Sequence, residues 1–130
     1  MIESYVFKRI TTDPTLMSLL SAGGGKYHAY PAVVPRGIPF DKALTFSVIV
    51  ATYVYPGATS FNVQFGIFSK THTDAATISQ ALYSLFNEDN NQKAEGVNVI
   101  YSQRVSDTDL GQNFDDGLYQ RETTYYFKTR

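Results

Sequence analysis

The chain has 130 residues and a formal net charge of −1, with eleven Lys and Arg against twelve Asp and Glu. It therefore lacks the clustered basic excess that binding to a phosphate backbone requires. It contains no cysteine, which excludes a disulfide framework, a thiol nucleophile and a cysteine-bound zinc site.

The length is that of one domain, taken as residues 1–130. Ten Tyr and nine Phe bias it toward sheet, because flat rings suit a pleated, half-buried surface. Tyr is also favoured at protein–protein contacts, where the ring supplies area and the hydroxyl one directed bond. The N-terminus lacks the basic-then-apolar pattern of a secretory signal. The longest apolar run, Phe46 to Val54, is broken by Ser47 and Thr52 and is too short to span a bilayer. The expectation is a soluble protein.

In chain order, Ile2, Val6 and Ile10 draw a helical stripe that pauses and restarts at Asp13-Pro14. There Asp can cap free N–H groups, and Pro at the first helical position has none to leave unpaired. Gly23-Gly24-Gly25 is read as closing this helix; a phosphate cradle would instead open one. Lys26 to Tyr30 predicts a short strand, stopped by Pro31. Pro31 to Pro39, with three prolines, predicts an extended connector. Leu44 to Tyr53 predicts a central strand, and Tyr55-Pro56-Gly57-Ala58 a hairpin turn. Phe61, Val63, Phe65 and Ile67 then alternate with Asn62, Gln64 and Gly66, the period of a half-buried strand.

The period changes to helical at Asp74–Phe86, with Thr71 and Asp74 close to a capping box. Asn87 to Gly96 predicts a polar loop. Val97 to Val105 predicts a strand, Ser106 to Gly117 an acidic loop, and Leu118 to Lys128 a final strand. The order α-β-β-β-α-β-β predicts an α+β fold: a mainly antiparallel sheet of about five strands covered by two helices.

Chemistry-bearing motifs are sparse. His28 and His72 belong to no spaced metal pattern, and no Gly-x-Ser-x-Gly elbow is present. Asp107, Asp109, Asp115 and Asp116, with Asn113, could in principle offer oxygens to a hard cation. Their spacing fails the twelve-residue calcium loop, since Leu110 and Gly111 stand where ligands belong. No catalytic, cofactor-binding or metal residue is assigned, and no enzyme is expected.

Three segments together carry a resemblance. These are the N-terminal helix with its glycines, short strand and proline-bearing loop; the Phe61–Lys70 strand running into its helix; and Asp115-Asp116-Gly117-Leu118-Tyr119-Gln120-Arg121 ahead of a strand ending in aromatic and basic residues. Their order resembles the tail-completion family of long-tailed bacteriophages and prophages, which includes tail-terminator and head–tail joining proteins. The resemblance implies a structural virion protein that forms a ring, usually a hexamer, capping the tail tube. Its partners would be copies of itself, the tail tube protein and the head-completion or connector protein, with no membrane and no sequence reading of nucleic acid. Its location would be the neck of the virion tail, after assembly in the host cytoplasm. The alternatives are another neck or tail component, of head-completion or tube type, and a small α+β ligand-binding domain or enzyme. Candidate contact residues are Arg104, Asp107, Asp109, Asp115, Asp116 and Arg121, sought in the loops and on the exposed face of the last strand rather than in the core; opposite charges there would set register more than affinity.

Overall fold

Ile2, Tyr5, Val6 and Ile10 recur at helical spacing and all four are buried, forming one face of α1 (Ile2–Thr11). Asp13 restarts the helix: its carboxylate accepts the Leu16 N–H at 3.0 Å, and Pro14 opens α2 (Pro14–Leu19). In the computed structural model, residues 2–23, 26–55, 58–87 and 92–130 are described.

The glycines do not close the helix. Helix α2 ends at a Leu20 cap whose N–H donates to the Leu16 carbonyl, and Gly23 already lies in β1 (Ser21–Gly23). Gly24 and Gly25 fall outside the described residues. The strand expected at Lys26–Tyr30 is divided in two. Its first part, β2 (Lys26–Tyr27), pairs antiparallel with β1; its second, β3 (Ala29–Pro31), runs parallel to β4 (Lys42–Tyr55). Between them the His28 N–H donates to the Leu20 carbonyl, and the His28 carbonyl accepts from Leu44, so one residue serves both sheets. Pro31, expected to stop the strand, is instead the last residue of β3 and pairs with Phe46; from Ala32 the proline-rich connector carries the chain to β4 without helix or strand, as expected.

Strand β4 pairs antiparallel with β5 (Ala58–Ser69), placing Phe46 opposite Phe65 and Val48 opposite Val63. Of the turn read between them, Pro56 and Gly57 lie outside the described residues. Helix α3 (His72–Phe86) starts two residues earlier than its apolar pattern suggested, because Thr71 is the cap: its hydroxyl accepts the Asp74 N–H at 3.2 Å. The polar stretch after α3 contains a short strand, β6 (Gln92–Ala94); residues 88–91 of the loop read there lie outside the described residues.

The largest departure comes next. Strand β7 spans Val97–Gln112 and pairs with β8 (Tyr119–Thr129), so the first half of the expected acidic loop is strand. The register shifts three times, leaving Ile100, Val105 and Leu110 with no residue opposite them on β8. Each bulge moves the inward side chain by one position. Val99, Ser102, Arg104, Asp107, Asp109 and Gln112 therefore share the face of Tyr125 and Phe127, which no simple alternation would group.

The main sheet has the order β3-β4-β5-β8-β7-β6, and only the β3–β4 pairing is parallel. The expected α+β class is the one observed, with three helices and several short strands beyond the five read. All three helices pack on one face. Phe65 stacks on Phe86 at 5.6 Å, Phe127 meets Phe86 edge-on at 5.4 Å, and Tyr5 closes against Phe127 at 6.1 Å. The opposite face is polar: Ser47, Gln64, Thr124 and Ser106 form one cross-strand row.

Candidate assembly surface

The six charged residues singled out from the sequence separate into two groups. Asp107 is the centre of the first. Arg121 donates to it through Nε at 2.9 Å and Nη2 at 2.8 Å, a two-pronged pairing of guanidinium and carboxylate. Ser79 of α3 adds a hydroxyl bond at 3.3 Å, and Arg104 approaches at 3.6 Å. The Arg121 hydrogen bonds hold the Asp107 carboxyl below its ordinary value of 3.8, against a raising effect of desolvation. The same pair raises Arg121, which stays charged.

Arg104 also lies 4.4 Å from the centre of the Tyr83 ring, and its backbone N–H donates to the Asn87 side chain at 3.0 Å. These side chains join the C-terminal half of α3 to β7 and β8. Arg121 sits on the helix-covered face of β8 with Tyr125 and Phe127, not on the opposite, polar face. Asp107 and Arg121 thus satisfy one another within the subunit, with side-chain exposures of 16% and 22%.

Asp109 lies farther along β7 and is more exposed. Its carboxylate accepts the Gly111 N–H at 2.9 Å and contacts His72 Nε2 at 2.7 Å; these partners, Gly111 first, lower its pKa. His72 also packs edge-on to Tyr119 at 5.8 Å. The start of α3 is thereby pinned to the β7–β8 hairpin.

Asp115 and Asp116 belong to the hairpin tip, which remains a turn. Asn113 Oδ1 accepts the Asp115 N–H at 2.8 Å, and Asp116 Oδ1 accepts the Leu118 N–H at 2.9 Å. The Gly117 N–H donates to the Asn113 carbonyl at 2.8 Å, and Gln112 Nε2 donates to the Gly117 carbonyl at 2.9 Å. Gly117 takes φ +73°, the left-handed conformation that suits glycine at such a turn. Among the described residues neither aspartate joins an ion pair. Between the caps stands Phe114, fully exposed. The sequence reading passed over this ring; the available signal was a large apolar residue inside a run of turn formers, Asn113-Phe114-Asp115-Asp116-Gly117.

Among the described residues no three His, Cys, Asp or Glu side chains stand close enough to share a metal ion. A groove between α2 and α3 holds one carboxylate, Asp13, which is engaged in capping, and one guanidinium, Arg9, which donates to the Leu85 carbonyl and to Gln92. Among the described residues no helix is long and apolar enough to cross a membrane.

Among solved structures, the fold is similar to a chain of the virion of a native gene transfer agent particle. The TM-score is 0.72 over 95% of this chain and 90% of that one, at 9% sequence identity. At that identity the likeness is one of fold. No protein-family model matches the sequence, and no curated protein matches it significantly.

Proposed function

We propose that this chain is a non-enzymatic structural protein of a phage-like particle, and that it caps the tail tube as a ring, a hexamer, offering its outer side to the head connector. The observation that carries the reading is the fold itself. Nearly the whole chain superposes on a chain of a gene transfer agent virion, and the resemblance to the tail-completion family spans the same length. The surface chemistry is compatible: the rigid parts are spent on packing, whereas the hairpin tip offers an exposed ring and two carboxylates that join no ion pair among the described residues.

In this reading Phe114, Asp115 and Asp116 contact a neighbour, Asp109 orients the hairpin through His72, and Arg104, Asp107 and Arg121 hold the strands that present it. Purified tail tubes provide the test. The protein is expected at one end of each tube, where it stops elongation. Decoration along the side of the tube, or no binding, would overturn capping; incorporation into the growing tube would favour a tube subunit instead.

A further inference from the structure

The sheet has two open edges, and both are marked in the same way. On one side β3 covers β4 only at Leu44–Phe46, so among the described residues no strand pairs with the outer edge of β4 beyond Phe46. That stretch contains neither charge nor proline, the usual guards of an edge. It exposes Ile49 and Val50 by about half and Tyr53 by 77%. On the other side β6 covers β7 only at Val97–Val99, and among the described residues no strand pairs with the outer edge beyond, where Val105 and Leu110 are exposed.

The register places Ile49 and Val54 at the bulges of β4 and Ile100, Val105 and Leu110 at those of β7. Both edges thus carry apolar residues every five positions, about 16 Å apart along a strand. The caps are diagonal: β3 sits at the end of the sheet holding Lys42 and Gln112, β6 at the end holding Val99 and Thr129. The four long strands alternate in direction, so β4 and β7 run opposite ways. Copies related by rotation about one axis would set β7 beside β4 antiparallel and continue the alternation.

We propose that the occupant of the β4 edge is a second copy of this chain, joined head to tail, with Val105 and Leu110 of one copy packed on Ile49, Val50 and Tyr53 of the next. One contact covers both edges, and a contact between two different patches is what a closed ring needs. The junction is made by side chains rather than by a continuous ladder. Bulges interrupt β7, and its Arg104 and Gly111 N–H groups are already taken by Asn87 and Asp109. The diagonal caps stagger neighbouring sheets, as tilted strands around a closed barrel require. This deepens the ring reading above and rests on it.

The test measures assembly mass against concentration for Ile49→Lys, for Leu110→Glu and for their mixture, with circular dichroism to establish folding. Each variant alone is expected to lose association by at least about tenfold, because a lone charge is driven into an apolar contact. The mixture is expected to recover it, since intact edges alternate with Lys–Glu junctions. Tyr53→Lys with Val105→Glu is a second pair should either variant fail to fold. A contact of β4 with β4 would leave Leu110→Glu assembling normally, and that result overturns the proposal. A monomeric wild type at every concentration, or two variants that assemble as the wild type does, overturns it as well. Tubes separate the two readings. If the wild type assembles through its edges but binds no tube end, capping alone fails; if edge variants still form rings on tubes, the edge contact alone fails.

Discussion

Arg121 grips Asp107 with two parallel hydrogen bonds of 2.9 and 2.8 Å, tying β8 to β7 where Ser79 of α3 also reaches the same carboxylate. Removing the charge leaves a partly buried guanidinium facing a neutral amide. Asp107→Asn is therefore expected to cost about 1–3 kcal/mol at neutral pH, measured by urea unfolding. Because the folded-state pKa lies below the ordinary 3.8, the pair's contribution is fully present above that value and is lost as pH falls through the lowered one. Wild type and variant should converge in stability once the pH has fallen below that lowered value. A gap that persists unchanged into acid would show that the charge is not the stabilising element.

Gly66 lies in the middle of β5 on the polar face. A methyl group there would meet Thr45 Oγ1 at 2.6 Å and the Phe68 ring at 3.2 Å. Thr45 is β-branched and 7% exposed, so it yields little. Gly66→Ala is expected to destabilise by about 1–3 kcal/mol. Thr45→Ala removes the obstructing hydroxyl and should restore part of that loss, giving a coupling above about 0.5 kcal/mol in a double-mutant cycle. Strict additivity would place the strain elsewhere.

Phe86 anchors α3 by stacking on Phe65 and meeting Phe127 edge-on. Phe86→Ala should cost about 3–5 kcal/mol, and Phe86→Leu less because it preserves more of the filled volume. Thr71→Ala, which removes the helix cap, should cost about 1 kcal/mol. Thermal or chemical denaturation checks this ranking.

At the hairpin tip stability and assembly should separate. Phe114 is fully exposed, and the turn beneath it is held by Asn113, Gln112 and backbone bonds. Phe114→Ala, and Asp115→Lys with Asp116→Lys, are expected to leave the monomer folded and weaken assembly. Normal tail production by these variants would remove the tip from the interface.

How much of this was legible in the sequence depended on how strictly each segment kept one period. The strand from Phe61 and the helix after it were readable because β5 pairs with β8 without a register shift and the bulges against β4 lie on β4, so its alternation survives in Phe61, Val63, Phe65 and Ile67. Strand β7 was only half readable. Its bulges at Ile100, Val105 and Leu110 reset the inward face three times, and Asp107 and Asp109 then resemble loop residues although they face inward in a strand. The glycines near residue 24 misled because the helix was already closed by Leu20. Strands of two or three residues, such as β2, β3 and β6, are too short to show any period. At the candidate site the charged residues were visible as a composition, but the two-pronged Asp107–Arg121 pairing required two strands brought into register. Phe114 stayed hidden because exposure is a property of the folded turn.

The central claim is that the chain closes the tail and prepares it for the head. The most direct measurement is electron microscopy of particles assembled without it, in the strain that produces them. Filled heads unattached to tails, and tail tubes of uncontrolled length, are the expected result. Normally joined particles with tails of normal length would contradict it.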